Sequence, residues 1–157
     1  MGIERQNYFD FAENDYKFFM DAYNNNYVYN GMASLAQNAC EKYLKHIIET
    51  YCNESIEQLS VLKSHQLNKL IDFIDSELPD FECNEDTIIK ANGYYFASRY
   101  PGDQSFFVSE KDMKRCAEAL DETRNAVKWY ISKHQCVMDE SFNKDFMIDS
   151  LPRRKGR

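Results

Sequence analysis

Residues 27–52 read YVYNGMASLAQNACEKYLKHIIETYC, and their spacing decides the fold class. Tyr29, Met32, Ala36, Cys40, Tyr43, Ile47 and Tyr51 recur every three or four positions, which places them on one stripe of a helix. Ala33, Ala39 and Leu44 flank that stripe, whereas Lys45 falls opposite it and Glu41 well off it, where solvent is expected. A single long amphipathic helix therefore occupies the centre of the first half of the chain.

The same periodicity extends in both directions. Upstream, Phe9, Tyr16, Phe19, Met20 and Tyr23 predict a first helix over about residues 5–24, broken by Asn24, Asn25 and Asn26, which tolerate left-handed backbone. Downstream, the pattern lapses around residues 53–60 into a short turn or helical piece. Ser64 is suited to cap a third helix over about 65–78, with Leu67, Leu70, Ile71 and Ile74 inward and Pro79 just past its end. Asn84, with Glu85 and Asp86 in the first turn, predicts a fourth helix to about Tyr100, stopped by Pro101. After a loop over 102–108, Ser109 and Asp112 open a fifth helix to about His134.

Composition agrees with an all-α, up-and-down bundle of four to five helices in one domain. The chain has 157 residues, 5 Gly and 3 Pro, too few turn residues for a sandwich or barrel, and its 11 Tyr and 11 Phe exclude wholesale disorder. No apolar run is long enough to span a bilayer. The start, Met1 to Gln6, has no apolar signal region and no Ser or Thr at position 6 for myristoylation, so the expected compartment is the cytoplasm, with no membrane partner. The bundle is expected over 1–135, with 136–157 as an extension ending in the basic stretch Leu151 to Arg157, either a solvated tail or a nucleic-acid contact. Cys40, Cys52, Cys83, Cys116 and Cys136 lack any C-x-x-C pair and read as packing thiols, and His46, His65 and His134 are scattered, so neither a metal nor a cofactor is expected. A net charge of -7 argues against nucleic-acid coating but leaves a local basic groove open.

No phosphate loop, H-E-x-x-H, G-x-S-x-G or kinase signature occurs. Periodicity instead singles out Arg124. It sits four residues after Leu120 and three before Val127, inside the stripe formed by Met113, Cys116, Ala117, Leu120, Val127 and Ile131. A charge there must either snorkel to water or meet a carboxylate, a partner subunit or a phosphate.

Four segments, in order, resemble one family. Residues 36–45 (AQNACEKYLK) are similar to the A-Q-Q-A-x-E-K-x-L-K segment of HEPN domains, the higher eukaryote and prokaryote nucleotide-binding fold. Ser64 to Leu67 resembles that family's H-D-L, Tyr94 with Arg99, Tyr100 and Pro101 its Y-x(4)-R-Y-P, and Arg124 with Asn125 the Arg-polar pair of its last long helix. The likeness covers about residues 12–132 of a prokaryotic type of protein. It implies a helical bundle, often a homodimer, that stands alone or works beside a nucleotidyltransferase. Many members are metal-independent RNases or toxins of toxin-antitoxin pairs, whose R-x(4-6)-H motif places an Arg and a His at the scissile phosphate across a dimer cleft.

The His is not in place here. The window after Arg124 holds Trp129, Tyr130 and Ile131, and His134 follows nine intervening residues later. Ten residues of helix span ~15 Å, so Arg124 and His134 cannot flank one phosphate on a straight helix, although a second copy can supply either group. Some relatives use a Tyr just after the His, and Tyr130 behind Trp129 is similar, but its stripe position reads as core. The leading expectation is a non-catalytic module that binds a nucleotide or a nucleotidyltransferase, with Arg124, Asn125, Arg99 and His65 as ligand-binding candidates. The alternatives are an RNase toxin using Arg124 and a displaced His134, and a purely structural helical adaptor. His65 equally fits a local turn, Arg99 a tie to another helix, and Lys42 with Lys45 a solvated face beside Glu41 and Glu49 rather than an anion groove.

Overall fold

The computed structural model describes residues 6–94, 101–102 and 105–138. Helix α1 spans Tyr8–Asn24 and α2 spans Asn30–Tyr51. Two short helices follow as α3 (Ile56–Val61) and α4 (Leu67–Glu77). Then come α5 (Glu85–Ile88), a 3-10 turn over Ile89–Ala91, and α6 (Glu110–Met138). Among the described residues there is no strand, and no helix is long and apolar enough to cross a membrane.

Cap chemistry sets the helix starts. Asn7 accepts from the Asp10 amide at 3.0 Å while Asp10 accepts from the Asn7 amide at 3.3 Å, a reciprocal box that opens α1. Ser109 and Asp112 repeat it for α6, at 3.2 and 2.8 Å. The break after α1 falls at the three asparagines, with Asn26 at a φ of 62°.

Contacts fix the directions. Along α1 the partners on α2 fall in number as α1 rises, from Phe9 on His46 to Asp15 on Lys42, and so do those on α6, from Glu13 on Arg124 to Tyr16 on Asp121. Helix α1 is thus antiparallel to both. Helices α2 and α6 run the same way: Asn30 accepts from the Val108 amide at one end, and the Tyr51 and Tyr130 rings meet at the other. The chain is all-α and forms one bundle with α2 in the middle. Its core joins Phe19, Tyr43, Leu44, Ile47, Leu70, Ile71, Ile74, Met113, Leu120 and Tyr130.

Several expectations change. The fourth helix is not continuous from Glu85: α5 ends at Ile88, and extended backbone at Asn92 with Gly93 at a φ of 93° interrupts the segment before Tyr94, which is helical, while 95–100 lie outside the described residues. The cause is Asn92, whose side chain is committed to α4, accepting from the Leu67 amide at 3.1 Å and donating to Asn68. That borrowed cap also starts α4 at Leu67, two residues later than a Ser64 cap implies; Ser64 accepts from the Gln66 amide instead. Helix α6 continues to Met138, past His134. Tyr29, assigned to the stripe, is 64% exposed, because it precedes the first turn of α2. Glu41 and Lys45, expected in solvent, are buried, since α2 packs against α1, α4 and α6 and has little free circumference.

Cys40, Cys52, Cys83 and Cys116 are all buried, as their reading as packing residues requires. Burial pushes Cys40 up to about 12. At neutral pH a thiol reagent is therefore expected to leave Cys40 and Cys116 unmodified until the protein unfolds. Fast labelling of either in native buffer, read by peptide mass, would mean that the seam between α2 and α6 opens readily.

Candidate functional site

Arg124 projects from the middle of α6 toward α1. Its Nε donates to Glu13 Oε1 at 2.7 Å and its Nη2 to Glu13 Oε2 at 3.2 Å, a fork on a carboxylate. The guanidinium carbon lies 4.4 Å above the centre of the Tyr16 ring. The Tyr43 hydroxyl donates to the same Glu13 oxygen at 2.6 Å, and the Tyr16 hydroxyl donates to Asp121 at 2.8 Å. One charged knot thus joins α1, α2 and α6. Both charged side chains keep only about a quarter of their surface, at 23% for Arg124 and 21% for Glu13.

The electrostatics follow from those contacts. Partial burial pushes Glu13 upward, but hydrogen bonds from Arg124 and Tyr43 and the charge of Arg124 outweigh it, so its carboxyl stays below its ordinary value. The bond to Glu13 holds Arg124 firmly protonated against the opposing effect of burial. Burial and the bond to Glu13 together push Tyr43 far up, so its hydroxyl is a donor throughout the physiological range.

His134 belongs to a separate cluster at the far end of α6. Its Nε2 meets Asp80 Oδ2 at 3.1 Å, Lys133 meets the same oxygen at 3.4 Å, and Tyr130 donates to Asp80 Oδ1 at 3.2 Å. The imidazole also packs on Tyr51 and Tyr130. Asp80 is pushed up by burial but held below its ordinary value by His134 and Lys133. Tyr130 is 2% exposed, in agreement with its reading as core.

His65 lies ahead of α4 rather than in its first turn, and its Nδ1 meets Glu41 Oε2 at 3.1 Å. Lys45 Nζ approaches the same oxygen at 3.5 Å, and Gln37 donates to the His65 carbonyl at 2.8 Å. Gln37, Glu41 and Lys45, spaced four apart, form a polar ridge on α2 that the start of α4 covers. Lys42 is engaged elsewhere, by Asp15 of α1, so Lys42 and Lys45 do not edge a common groove. Asn125 is exposed beside Arg124. Arg99 and Tyr100 lie outside the described residues; Tyr94, which opens their motif, donates to Asp112 at 2.6 Å.

Within one chain, then, Arg124, His134 and His65 each have their own carboxylate, and the structure does not bring them together. Comparison with protein families matches the HEPN domain over residues 6–133. The chain belongs to the HEPN family. Searches of curated proteins and of solved structures found no match. In this HEPN chain the segment at 36–45 supplies Gln37 and Glu41 to the covered ridge, and Tyr43 to the knot around Glu13. Glu13, Asp80 and Asp121 were not among the residues singled out from sequence, and Tyr16 was read only as part of the apolar stripe of the first helix. A signal for Glu13 existed: it sits four residues after Phe9 and three before Tyr16, interrupting an apolar stripe just as Arg124 does.

Proposed function

We propose that this HEPN chain is a non-catalytic module of a prokaryotic cytoplasm, built as a homodimer, that holds a nucleotidyltransferase-type partner protein. The module takes in all of α6, which continues to Met138 and so carries it past the boundary expected at residue 135. The observation that carries the reading is the Arg124–Glu13 fork. A guanidinium that grips a scissile phosphate needs its donors free, whereas two of the five donors of Arg124 are spent on Glu13 and its face rests on Tyr16. His134, the other half of the displaced RNase pair, is tied to Asp80 at the end of the same helix. Exposed Tyr27, Tyr29 and Phe107, with Phe106 anchored through its carbonyl to Asn30, offer aromatic surface of the kind that protein partners cover.

Single-stranded RNA incubated with the purified chain and a chelator tests the point. The expected result is no cleavage above buffer, with Arg124→Ala and His134→Ala indistinguishable from the parent. Cleavage that Arg124→Ala abolishes would overturn the reading in favour of an RNase toxin. A nucleotide site at Arg124 would show as saturable ATP binding lost in the same variant, and that result too would sink the proposal of a protein-holding module.

A further inference from the structure

The outward face of α1 carries two large aromatic side chains that the fold leaves in water. Phe11 is 51% exposed and Phe18 60%. They stand seven residues apart on one stripe with Asn14 between them, all three exposed, as are Asp10 and Lys17 along the neighbouring edge. Beside Phe18 a groove of about 510 Å³ opens between α1 and the start of α2, with Phe18, Met32 and Leu35 as its apolar lining and Asp15, Lys17 and Asp21 as its charged rim. Asp10 accepts from the Asn7 amide, and Lys17 makes no ion pair with another described residue.

This pattern is symmetric about Asn14 to within one residue, about 1.5 Å of helix rise. Phe11 lies three residues before it and Phe18 four after; Asp10 lies four before and Lys17 three after. An antiparallel copy of α1 laid across the face at Asn14 therefore sets Phe11 against Phe18 of the partner subunit, and Asp10 against Lys17 of the partner subunit. A parallel two-fold copy would instead exchange the two edges, setting Asp10 against Phe11 of the partner subunit and Lys17 against Phe18 of the partner subunit, so that no charge meets its opposite. Aromatic pairing and charge thus select one arrangement, the antiparallel one, and a two-fold interface uses the same patch on both chains.

We infer that the outward face of α1 is the surface through which two copies of this chain pair, antiparallel about a two-fold axis at Asn14, with Phe11 of the partner subunit filling the groove beside Phe18, Met32 and Leu35. The inference rests on the pairing named in the proposed function and adds its face and register. Neither Phe11 nor Phe18 contributes to the buried core, so replacing them tests the contact without touching the fold.

Light scattering on a sizing column is the first measurement. The parent chain is expected at twice its 18.6 kDa mass. Phe18→Glu is expected at the single-chain mass with an unchanged helical spectrum, its dissociation constant raised at least about 100-fold. Lys17→Glu, which turns two attractive pairs repulsive, is expected to raise it about 10-fold. Asn14→Cys, placed on the axis, is expected to give a covalent dimer under mild oxidation, while Phe107→Cys, 93% exposed and outside α1, is not. A parent chain of single-chain mass would overturn both the pairing and the face. A dimer that survives Phe18→Glu, or an Asn14→Cys variant that stays uncrosslinked as a dimer, would overturn the face alone.

Discussion

Glu41→Ala is expected to lose about 3–5 kcal/mol of stability, the cost of breaking a buried ion pair from one side. The Glu41 side chain is 5% exposed and that of Lys45 9%. Their spacing of four residues, with the acid first, is the favourable order on a helix. Without Glu41, the Lys45 ammonium stays nine-tenths buried beside a helix from which its carboxylate has gone, and His65 loses the oxygen that its Nδ1 meets. The double variant Glu41→Met with Lys45→Met is expected to recover to within about 1 kcal/mol of the parent, because it removes both desolvation costs and fills the same volume with apolar atoms. Urea unfolding followed by helical ellipticity measures all three proteins. A loss below about 1 kcal/mol for Glu41→Ala would mean that water reaches the ridge and that the pair acts as a surface bridge.

That ridge also marks where sequence reading stops. A helical wheel gives the direction of each side chain but not how many neighbours the helix has, and Glu41 and Lys45 point away from the main apolar stripe as expected. They are buried nonetheless because His65 and the start of α4 close over that side of α2. The predicted helix over 85–100 is interrupted at Asn92 and Gly93 for a related reason. Local propensity around Asn84 and Glu85 favours a helix and starts one, yet Asn92 is drawn off to cap α4, a contact 25 residues away that no local pattern announces. Cap boxes, in contrast, are local, and Ser109 with Asp112 could be read directly. The family was legible for the same reason, since its segments are short, local stretches of sequence.

The site was half legible. Arg124 was conspicuous because a charge interrupts an apolar stripe, and a carboxylate was among the partners such a charge demands. Which carboxylate could not be chosen, because Glu13 is 111 residues away and reaches Arg124 only once α1 and α6 lie antiparallel. Likewise the neutral reading of Tyr130 as core followed from periodicity, whereas its bond to Asp80 depends on where the turn after α4 lands.

Arg124→Ala is expected to cost about 2–3 kcal/mol and lower the melting temperature by roughly 4–10 °C. The pair lies between two regimes, since an exposed bridge is worth under about 1 kcal/mol and a fully buried one several times more. About a quarter of each side chain remains exposed, which discounts the loss, while the fork geometry and the Tyr16 ring add to it. Glu13→Ala should cost a similar amount, and the double variant little more than either alone, because the two singles remove the same contact. Arg124→Lys should recover less than half, as a single ammonium cannot span both oxygens of Glu13. The pH dependence has a definite sign. Glu13 sits below its ordinary value of 4.5 in the folded protein, so folding favours its ionised form. Its contribution is complete above the unfolded-state value and is lost as pH falls through the lower folded value. The stability gap between the parent and Glu13→Gln is therefore expected to be constant near neutrality and to close below about pH 4. A gap that instead persisted into acid would mean that Tyr43, not the charge, holds α1 in place. Loss of stability in Arg124→Ala with partner binding intact marks Arg124 as a tie between helices. Full stability with loss of ATP or RNA binding would mark it as a phosphate grip, and the fork to Glu13 as a contact that gives way when the ligand arrives.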